Sequence, residues 1–315
     1  MKTRRSFIKN TGQLAAYSLF FSHLISCKSG KEIAGNMGMR KALNIPADAP
    51  YKMKYLKGDM GIFTERGGTI GWLANKDGIT IVDTQFPDQS EHLLEEIMKI
   101  SEHPLDLVIN THHHGDHSSG NPVFQELAGK IVAHRNSKKN QQRVAQEREQ
   151  QGAVFPTLTF KDNYTDQVAG ENIRMYYFGP AHTDGDAVTH FENHNIVHMG
   201  DLIFNRRFPY IDKSAGASIG NWITVLDKTL MTFDAGTMYI FGHSDNGYDV
   251  TGTSDDIKAF QNYLEKLLEF GKQSIASGKT LEEIKAEATM IPGAPEWKGK
   301  GIGRSLEAVY AELGG

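Results

Sequence analysis

The sequence predicts an α/β fold in which two β-sheets carry helices on their outer faces. Strand-like segments come first, strands and helices then alternate, and helices close the chain. This order favours two sheets over a single doubly wound sheet. The chain has 315 residues, of which 39% are hydrophobic and 23% are charged, as is typical of a soluble globular enzyme.

The first half of the body alternates short apolar runs with turn residues. Strands are expected at residues 60–65, 69–74 and 79–84, with a turn at 75–78. A helix is expected at 88–101, because four apolar residues from Leu93 to Met98 share one helical face. The continuous apolar run at 105–109 predicts a buried strand.

The second half repeats this alternation. The expected elements are helices at 121–128, 136–150 and 219–231, and strands at 130–134, 172–178, 186–192, 195–199 and 238–241. Two further helices are expected at 254–276 and 280–289. Thr280 and Glu283 have the spacing of a capping box, which predicts the start of the second of these helices.

The first residues have the features of an export signal. The pair Arg4–Arg5 precedes a mildly apolar stretch that ends at Ile25 and is too short to span a bilayer. The sole cysteine, Cys27, stands where a lipoprotein signal peptidase leaves an acylated first residue. We therefore expect a twin-arginine lipoprotein signal peptide at 1–26, a tether at 27–50 and a folded body at 51–315, with C-terminal helices from about 254.

This organisation predicts a periplasmic protein that is anchored to the membrane through lipidated Cys27. The alternatives are a plain cleaved signal, or a cytoplasmic chain with a chance arginine pair. Removal of residues 1–26 takes away four basic residues and no acidic one, which leaves 30 basic and 38 acidic residues and a formal charge of −8. Nucleic-acid-binding surfaces are basic, so no nucleic-acid partner is expected.

The strongest signal for chemistry is the segment from His112 to His117, directly after a predicted buried strand. Alternate residues of an extended chain point to one side, so His112 and His114 can share a metal ion. A turn at Gly115 lets Asp116 and His117 reach a second ion nearby. The alternative is a run of surface histidines, but His-x-His-x-Asp-His after an apolar strand is far more specific.

Other polar residues repeat this placement. His182, Asp201 and His243 each follow an apolar strand. Each alone is more often a turn residue, but functional residues of sheet proteins gather where strands end. Asp83 also ends a strand and has two open interpretations, an acceptor for the second N–H of a ligand histidine or an ordinary turn residue. With one cysteine, outside the body, any metal must be held by histidines and carboxylates.

These residues resemble the landmarks of the metallo-β-lactamase superfamily. The similarity covers roughly residues 55–245 and includes, in order, Asp83, His112-x-His114-x-Asp116-His117, His182, Asp201 and His243. The resemblance implies an αβ/βα four-layer sandwich with the site along one edge of the sheets.

The resemblance also implies a hydrolase with two Zn²⁺ ions. One ion would be bound by His112, His114 and His182, and the other by Asp116, His117 and His243, with Asp201 bridging. A hydroxide shared by two such ions attacks a carbonyl, and Asp116 would orient it or carry its proton. An ester, lactone, thioester or amide, including a β-lactam, suits this chemistry, so a small-molecule substrate is the expected partner.

The fourth landmark limits what the resemblance says about the substrate. Asp201 stands where the best-known β-lactamases have a cysteine, and it resembles the glyoxalase II-like and lactonase-like branches. Phe204 stands where β-lactamases carry a substrate-binding lysine and lactonases a tyrosine, so neither substrate transfers. The candidate pocket residues are Phe204, Arg206, Arg207 and Tyr210; the alternatives are plain loop packing and solvated arginines.

Two other functions stay open from the sequence. Persulfide dioxygenases share these landmarks and use one iron, so a mononuclear iron oxidoreductase is the main alternative. A non-catalytic binding relative is the other, although such relatives usually lack ligands and none is missing here. The complete second ligand set favours two metal ions, and metal analysis separates the alternatives.

Overall fold

A computed structural model describes residues 41–298 and 301–314. The predicted signal peptide at 1–26 and the predicted lipidation site Cys27 lie outside these residues. Of the predicted tether at 27–50, the structure describes residues 41–50, which contain no helix or strand. Within the described ranges, no helix has the length and apolar content needed to cross a membrane.

The first sheet contains the early strands of the body. Among the described residues its strands, in spatial order, are β1 (Lys52–Lys57), β2 (Met60–Thr64), β3 (Ile70–Asn75), β4 (Gly78–Val82), β5 (Leu105–Asn110), β6 (Lys130–His134) and β7 (Leu158–Phe160). Strands β1 to β4 pair antiparallel, and β4 to β7 pair parallel.

The second sheet is built from the later strands. They are β8 (Asn163–Val168), β9 (Glu171–Tyr176), β10 (Val188–Phe191), β11 (Ile196–His198), β13 (Met238–Ile240) and β15 (Thr251–Gly252), in the spatial order β15-β13-β11-β10-β9-β8. A separate short pair joins β12 (Phe204–Asn205) to β14 (His243–Ser244).

Helices connect these strands and close the chain. They are α1 (Pro87–Ile100), α2 (Gly115–Ser118), α3 (Asn121–Phe124), α4 (Arg135–Glu147), α5 (Ile219–Thr232), α6 (Ser254–Ala276), α7 (Leu281–Glu287) and α8 (Ile302–Glu312), together with 3₁₀ turns at Gly200–Leu202 and Lys213–Ala215. Helix α7 begins with the predicted capping box of Thr280 and Glu283.

Three groups of buried residues divide the molecule into four layers. Leu107 and Ile109 of β5 point into an apolar core that they share with residues of the second sheet. Between them, Val108 points to the opposite face and packs in a core that includes Leu93 of α1. A third core joins the outer face of the second sheet to α5, α6 and α8. The layer order helix, sheet, sheet, helix confirms the predicted fold class.

Some elements were not predicted. Strands β1, β7 and β8 and helix α8 are absent from the sequence prediction, and the helix expected at 121–128 ends at Phe124. All three strands lie at sheet edges, where polar side chains are common because one side is unpaired. Met98 was expected on the buried face of α1, but 46% of its surface is exposed.

One ionic contact ties the two sheets together. His194, in the turn between β10 and β11, lies 2.8 Å through Nε2 from Asp59 Oδ1, between β1 and β2, and 2.6 Å through Nδ1 from Glu171 Oε2 at the start of β9. Burial lowers the pKa of His194, but hydrogen bonds to both carboxylates outweigh this and raise it to about 9.

Candidate metal centre

The predicted ligands lie in segments that follow central strands at one end of both sheets. The segment after β5 carries four of them, and the turns after β9, β11 and β13 carry one each. The structure brings together two adjacent groups that could hold a metal ion: His112, His114, His182 and Asp201, and Asp116, His117 and His243.

In the first group, three imidazole nitrogens face one another. His114 Nδ1 lies 3.0 Å from His112 Nε2 and 2.8 Å from His182 Nε2. Asp201 Oδ2 completes the group at 3.5 Å from His182 Nε2 and 3.9 Å from His112 Nε2. The second nitrogen of each ring decides whether these atoms carry protons or lone pairs.

Two of these rings are oriented by groups that can only accept. His182 Nδ1 lies 2.6 Å from the carbonyl oxygen of Tyr210 and must donate to it. His114 Nε2 lies 3.0 Å from the carboxylate of Asp212 and donates in the same way. In neutral rings, His182 Nε2 and His114 Nδ1 therefore carry lone pairs.

The third ring is oriented through a hydroxyl group. Thr111 Oγ1 donates its proton to Asp83 Oδ2 at 2.8 Å, so it accepts from His112 Nδ1 at 3.0 Å. His112 Nε2 is then also a lone-pair nitrogen. Burial lowers the pKa of His112 well below its usual value, so that ring is neutral. Three converging lone pairs repel one another unless a cation lies between them, and three histidines with a carboxylate suit a divalent ion.

The second group combines two histidines with one accessible carboxylate. His243 Nε2 lies 3.1 Å from Asp116 Oδ2 and 3.4 Å from Asp201 Oδ2. His117 Nε2 lies 3.0 Å from Asp201 Oδ1, and its Nδ1 donates to Asp83 Oδ2 at 2.7 Å. Asp201 thus reaches both groups, one oxygen facing His117 and the other facing His182 and His243.

Negative charge is concentrated around the second group. Burial lowers the pKa of His117, yet the carboxylates of Asp201 and Asp116 outweigh burial and raise it well above the usual value. Burial raises the pKa of Asp201, but the charges of His243 and His117 hold it well below its usual value. Such a site favours a cation, and a divalent metal fits it.

Glycines allow the backbone to pass directly behind the ligands. A Cβ at Gly68, between β2 and β3, would lie 2.0 Å from His117 Cε1. A Cβ at Gly242 would lie 2.0 Å from Asp201 Oδ1. Any side chain at either position would displace a ligand, so these glycines set the ligand positions.

The structure places Asp83 behind the second group, where its carboxylate accepts from His117 Nδ1. It also reveals Asp212, which the sequence analysis missed. Asp212 Oδ2 orients His114 and lies 3.5 Å from His113 Nε2. Its Oδ1 accepts from the backbone of Ser214 and Ala215. The local pattern Asp-x-Ser indicates only a capped turn, so the sequence carried no signal for this role.

The predicted pocket residues have different environments. Phe204 is buried and stacks on His243 with ring centroids 5.4 Å apart. Tyr210 is 44% exposed, and its ring lies 5.3 Å from that of His114. Arg206 instead pairs with Asp256 of α6 at 2.7 Å. Arg207 is exposed, and neither Arg206 nor Arg207 lines the cavity beside the site.

That cavity has a volume of about 500 Å³ and opens next to His114. One wall is formed by α4 and the residues that follow it, and the other includes Pro122 and Tyr210. Small-molecule sites commonly have roughly 300–1,000 Å³, so the cavity can hold a small ligand beside the first group.

Comparisons with known proteins bear on the family and the fold of this chain. The family model described as Metallo-beta-lactamase superfamily matches residues 63–243, more than half of the chain. The chain is 25% identical to 2,4-dinitroanisole O-demethylase subunit alpha of Nocardioides over 40% of its own length and 38% of that protein. It is 24% identical to linear primary-alkylsulfatase of Pseudomonas over 51% of its own length and 39% of that protein. The chain thus spans under two fifths of these two relatives.

Two other similarities involve β-lactamases. The chain is 20% identical to metallo-beta-lactamase type 2 of Elizabethkingia meningoseptica, over 62% of its own length and 76% of that protein. The solved metallo-beta-lactamase of Pontibacter korlensis superposes with a TM-score of 0.55 at 18% identity and covers 68% of this chain and 99% of its own. At such identity the likeness shows the fold.

Proposed function

We propose, since this chain belongs to the metallo-β-lactamase superfamily, that it is a hydrolase that uses two Zn²⁺ ions. One observation carries the proposal. The first group has three histidine nitrogens with lone pairs that face one another. The second group combines two histidines with a carboxylate, and Asp201 lies within 3.5 Å of histidine nitrogens in both groups. Zinc prefers such nitrogen and oxygen ligands.

When bound, the two ions would polarise a carbonyl oxygen and activate a water molecule for attack on the carbonyl carbon. The side chain of Asp116 is 31% exposed, more than His243 at 11%. Burial raises the pKa of Asp116, but His117 and His243 hold it below its usual value, so it is an anion. Asp116 would therefore accept a hydrogen bond from that water molecule and orient it.

Metal analysis tests the proposal first. We expect elemental mass spectrometry of the purified protein to give close to two zinc ions per chain, and His114→Ala to reduce both metal content and activity. His92→Ala on α1 is the control, because His92 contacts Glu65 outside the site. One iron per chain with no hydrolysis would support the persulfide dioxygenase-like alternative and refute the zinc proposal.

A substrate screen tests the bond that is cleaved. We propose a carbonyl compound, namely an ester, lactone, thioester or amide, in keeping with Asp201 at the shared position. The named relatives act on different bonds, so the screen includes a β-lactam and an alkyl sulfate beside these compounds. Turnover of the alkyl sulfate alone would contradict attack on a carbonyl.

We also propose that the protein is exported and anchored through Cys27, because the sole cysteine follows an apolar stretch that starts after Arg4–Arg5. Palmitate labelling in a bacterial host would then mark the wild-type protein but not Cys27→Ser. Arg4→Lys combined with Arg5→Lys would retain the protein in the cytoplasm. Labelling of Cys27→Ser would exclude this anchor.

A further inference from the structure

The cavity beside His114 carries charged groups that differ in how they are paired. Glu147 is bound by Arg143 at 3.0 Å, and Asp212 is bound by His114 at 3.0 Å. Arg148 follows α4 directly, is exposed and lines the same cavity. Among residues 41–298 and 301–314 it has no acidic partner. The Arg148 guanidinium is therefore free to bind a ligand in the cavity.

Arg148 shares the cavity with residues that contact the first metal group. Tyr210 and Asp212 line the same cavity as Arg148. Tyr210 in turn lies against His114. A molecule that contacts Arg148 can thus also reach the first metal group.

Apolar residues of the cavity lining suit the body of a small organic molecule. Pro122, Val144, Val154 and Phe155 supply apolar surface to the same cavity. The chain as a whole carries a net charge of −4, which repels anions at long range. An unpaired guanidinium can bind the two oxygens of a carboxylate or sulfonate side by side and offset this repulsion locally.

We propose that Arg148 forms an oxyanion subsite in this cavity, and that the preferred substrate is a small molecule with a carboxylate or sulfonate group away from the bond that is cleaved. This inference rests on the proposed hydrolase function and names the substrate class of the same site. The sequence suggested Arg206 for anion binding. The inference assigns that role to Arg148, at the end of α4, instead.

Paired substrates test the subsite. 4-Nitrophenyl butyrate and 4-nitrophenyl hydrogen glutarate share a leaving group, and only the second carries a carboxylate at the end of its acyl chain. For Arg148→Gln we expect KM for the glutarate ester to rise about tenfold, the gain available to a charged hydrogen-bonded pair. We expect its kcat to change less than twofold and KM for the butyrate ester to stay constant.

Arg135→Gln is the matched control, because Arg135 is exposed on the same helix and does not line the cavity. It should leave both KM values unchanged. An Arg148→Gln protein with equal KM changes for both esters, or with no change for the glutarate ester, would overturn the subsite while leaving the hydrolase proposal intact.

A binding measurement separates the two proposals if neither ester is hydrolysed. Benzenesulfonate and benzyl alcohol are titrated calorimetrically into the purified protein. We expect Arg148→Gln to weaken benzenesulfonate binding about tenfold, with no effect on benzyl alcohol. Equal benzenesulfonate affinity in the wild type and variant would reject the subsite, whatever the activity.

Discussion

Replacing Asp83 by Asn tests how the proton positions of the ligand histidines are set. Asp83 is fully buried and has a φ of 67°, a conformation that asparagine tolerates better than most residues. Asp83 Oδ1 accepts from the backbone of Thr111 at 2.7 Å, and Oδ2 accepts from its hydroxyl at 2.8 Å and from His117 Nδ1 at 2.7 Å. The substitution keeps the shape of the side chain and turns one acceptor into a donor.

The amide should keep its oxygen on the Thr111 backbone N–H, because the reverse orientation sets two donors against each other. Its NH₂ group then faces His117 Nδ1, which must lose its proton to accept. The proton moves to Nε2, the atom that faces Asp201 Oδ1 at 3.0 Å. His117 would then donate to Asp201 and have no lone pair for a metal ion.

Loss of such a supporting contact typically costs about 10- to 100-fold in metal affinity, which is roughly 1.4–2.7 kcal/mol. Competition with a fluorescent zinc chelator measures this directly. The same NH₂ group replaces the acceptor of the Thr111 hydroxyl, which then donates to His112 Nδ1 and moves the proton of that ring to Nε2. We therefore expect both ions to be released at lower affinity than from the wild type. Asp77→Asn, in an exposed turn, should change neither.

Two outcomes would refute this reasoning. If Asp83→Asn holds both ions with wild-type affinity, the tautomer of His117 is not set by Asp83. If only one ion weakens while thermal unfolding shows an intact fold, the Thr111 hydroxyl does not carry the effect of the substitution to His112.

Three further predictions follow from particular contacts. Gly68→Ala should displace His117 and destabilise the fold by about 1–3 kcal/mol, which would lower both the Tm and the amount of bound metal. Gly220→Ala is the control and should lower neither, because the nearest neighbour of its Cβ would be 3.7 Å away. Asp212→Asn should lower kcat/KM about 10- to 100-fold with a small change in Tm, and an unchanged kcat/KM would contradict its orienting role. His194→Gln removes an imidazole whose pKa is raised from 6.5 to about 9. Below pH 6.5 the wild type should therefore be more stable than the variant by roughly 1–2 kcal/mol, a figure that allows for solvent screening. This advantage should be lost as pH rises through about 9, and urea unfolding that shows the same difference at pH 6 and at about pH 10 would argue against it.

The central strands were predictable because burial on both faces leaves a continuous apolar run. Strand β5 lies in the middle of its sheet, and every residue but one is buried. Strand β8, at an edge, alternates exposed and partly buried residues through Asn163–Val168. Its sequence therefore resembles a loop, and only pairing with β9 makes it a strand. A sequence pattern reveals a strand through its buried apolar side chains, and edge strands have few of these.

The candidate ligands were predictable for a related reason. Three of them, His112, His182 and His243, follow buried strands, so their positions in the sequence indicate that they lie at strand ends. The segment from His112 to His117 also has the spacing of a metal-binding motif. Backbone geometry at the end of a strand is local, and it fixes the direction of the next side chains.

Residues that orient a metal ligand or bind the substrate could not be predicted in this way, because their roles depend on partners that are distant in the sequence. Asp212 orients His114 across 98 positions of sequence, and Arg148 faces Tyr210 from another part of the fold. Arg206 has the right chemistry for anion binding and lies close to Asp201 in sequence, yet Asp256 neutralises it. The arginine that remains unpaired is thus determined by tertiary contacts, and so, by our inference, is the substrate.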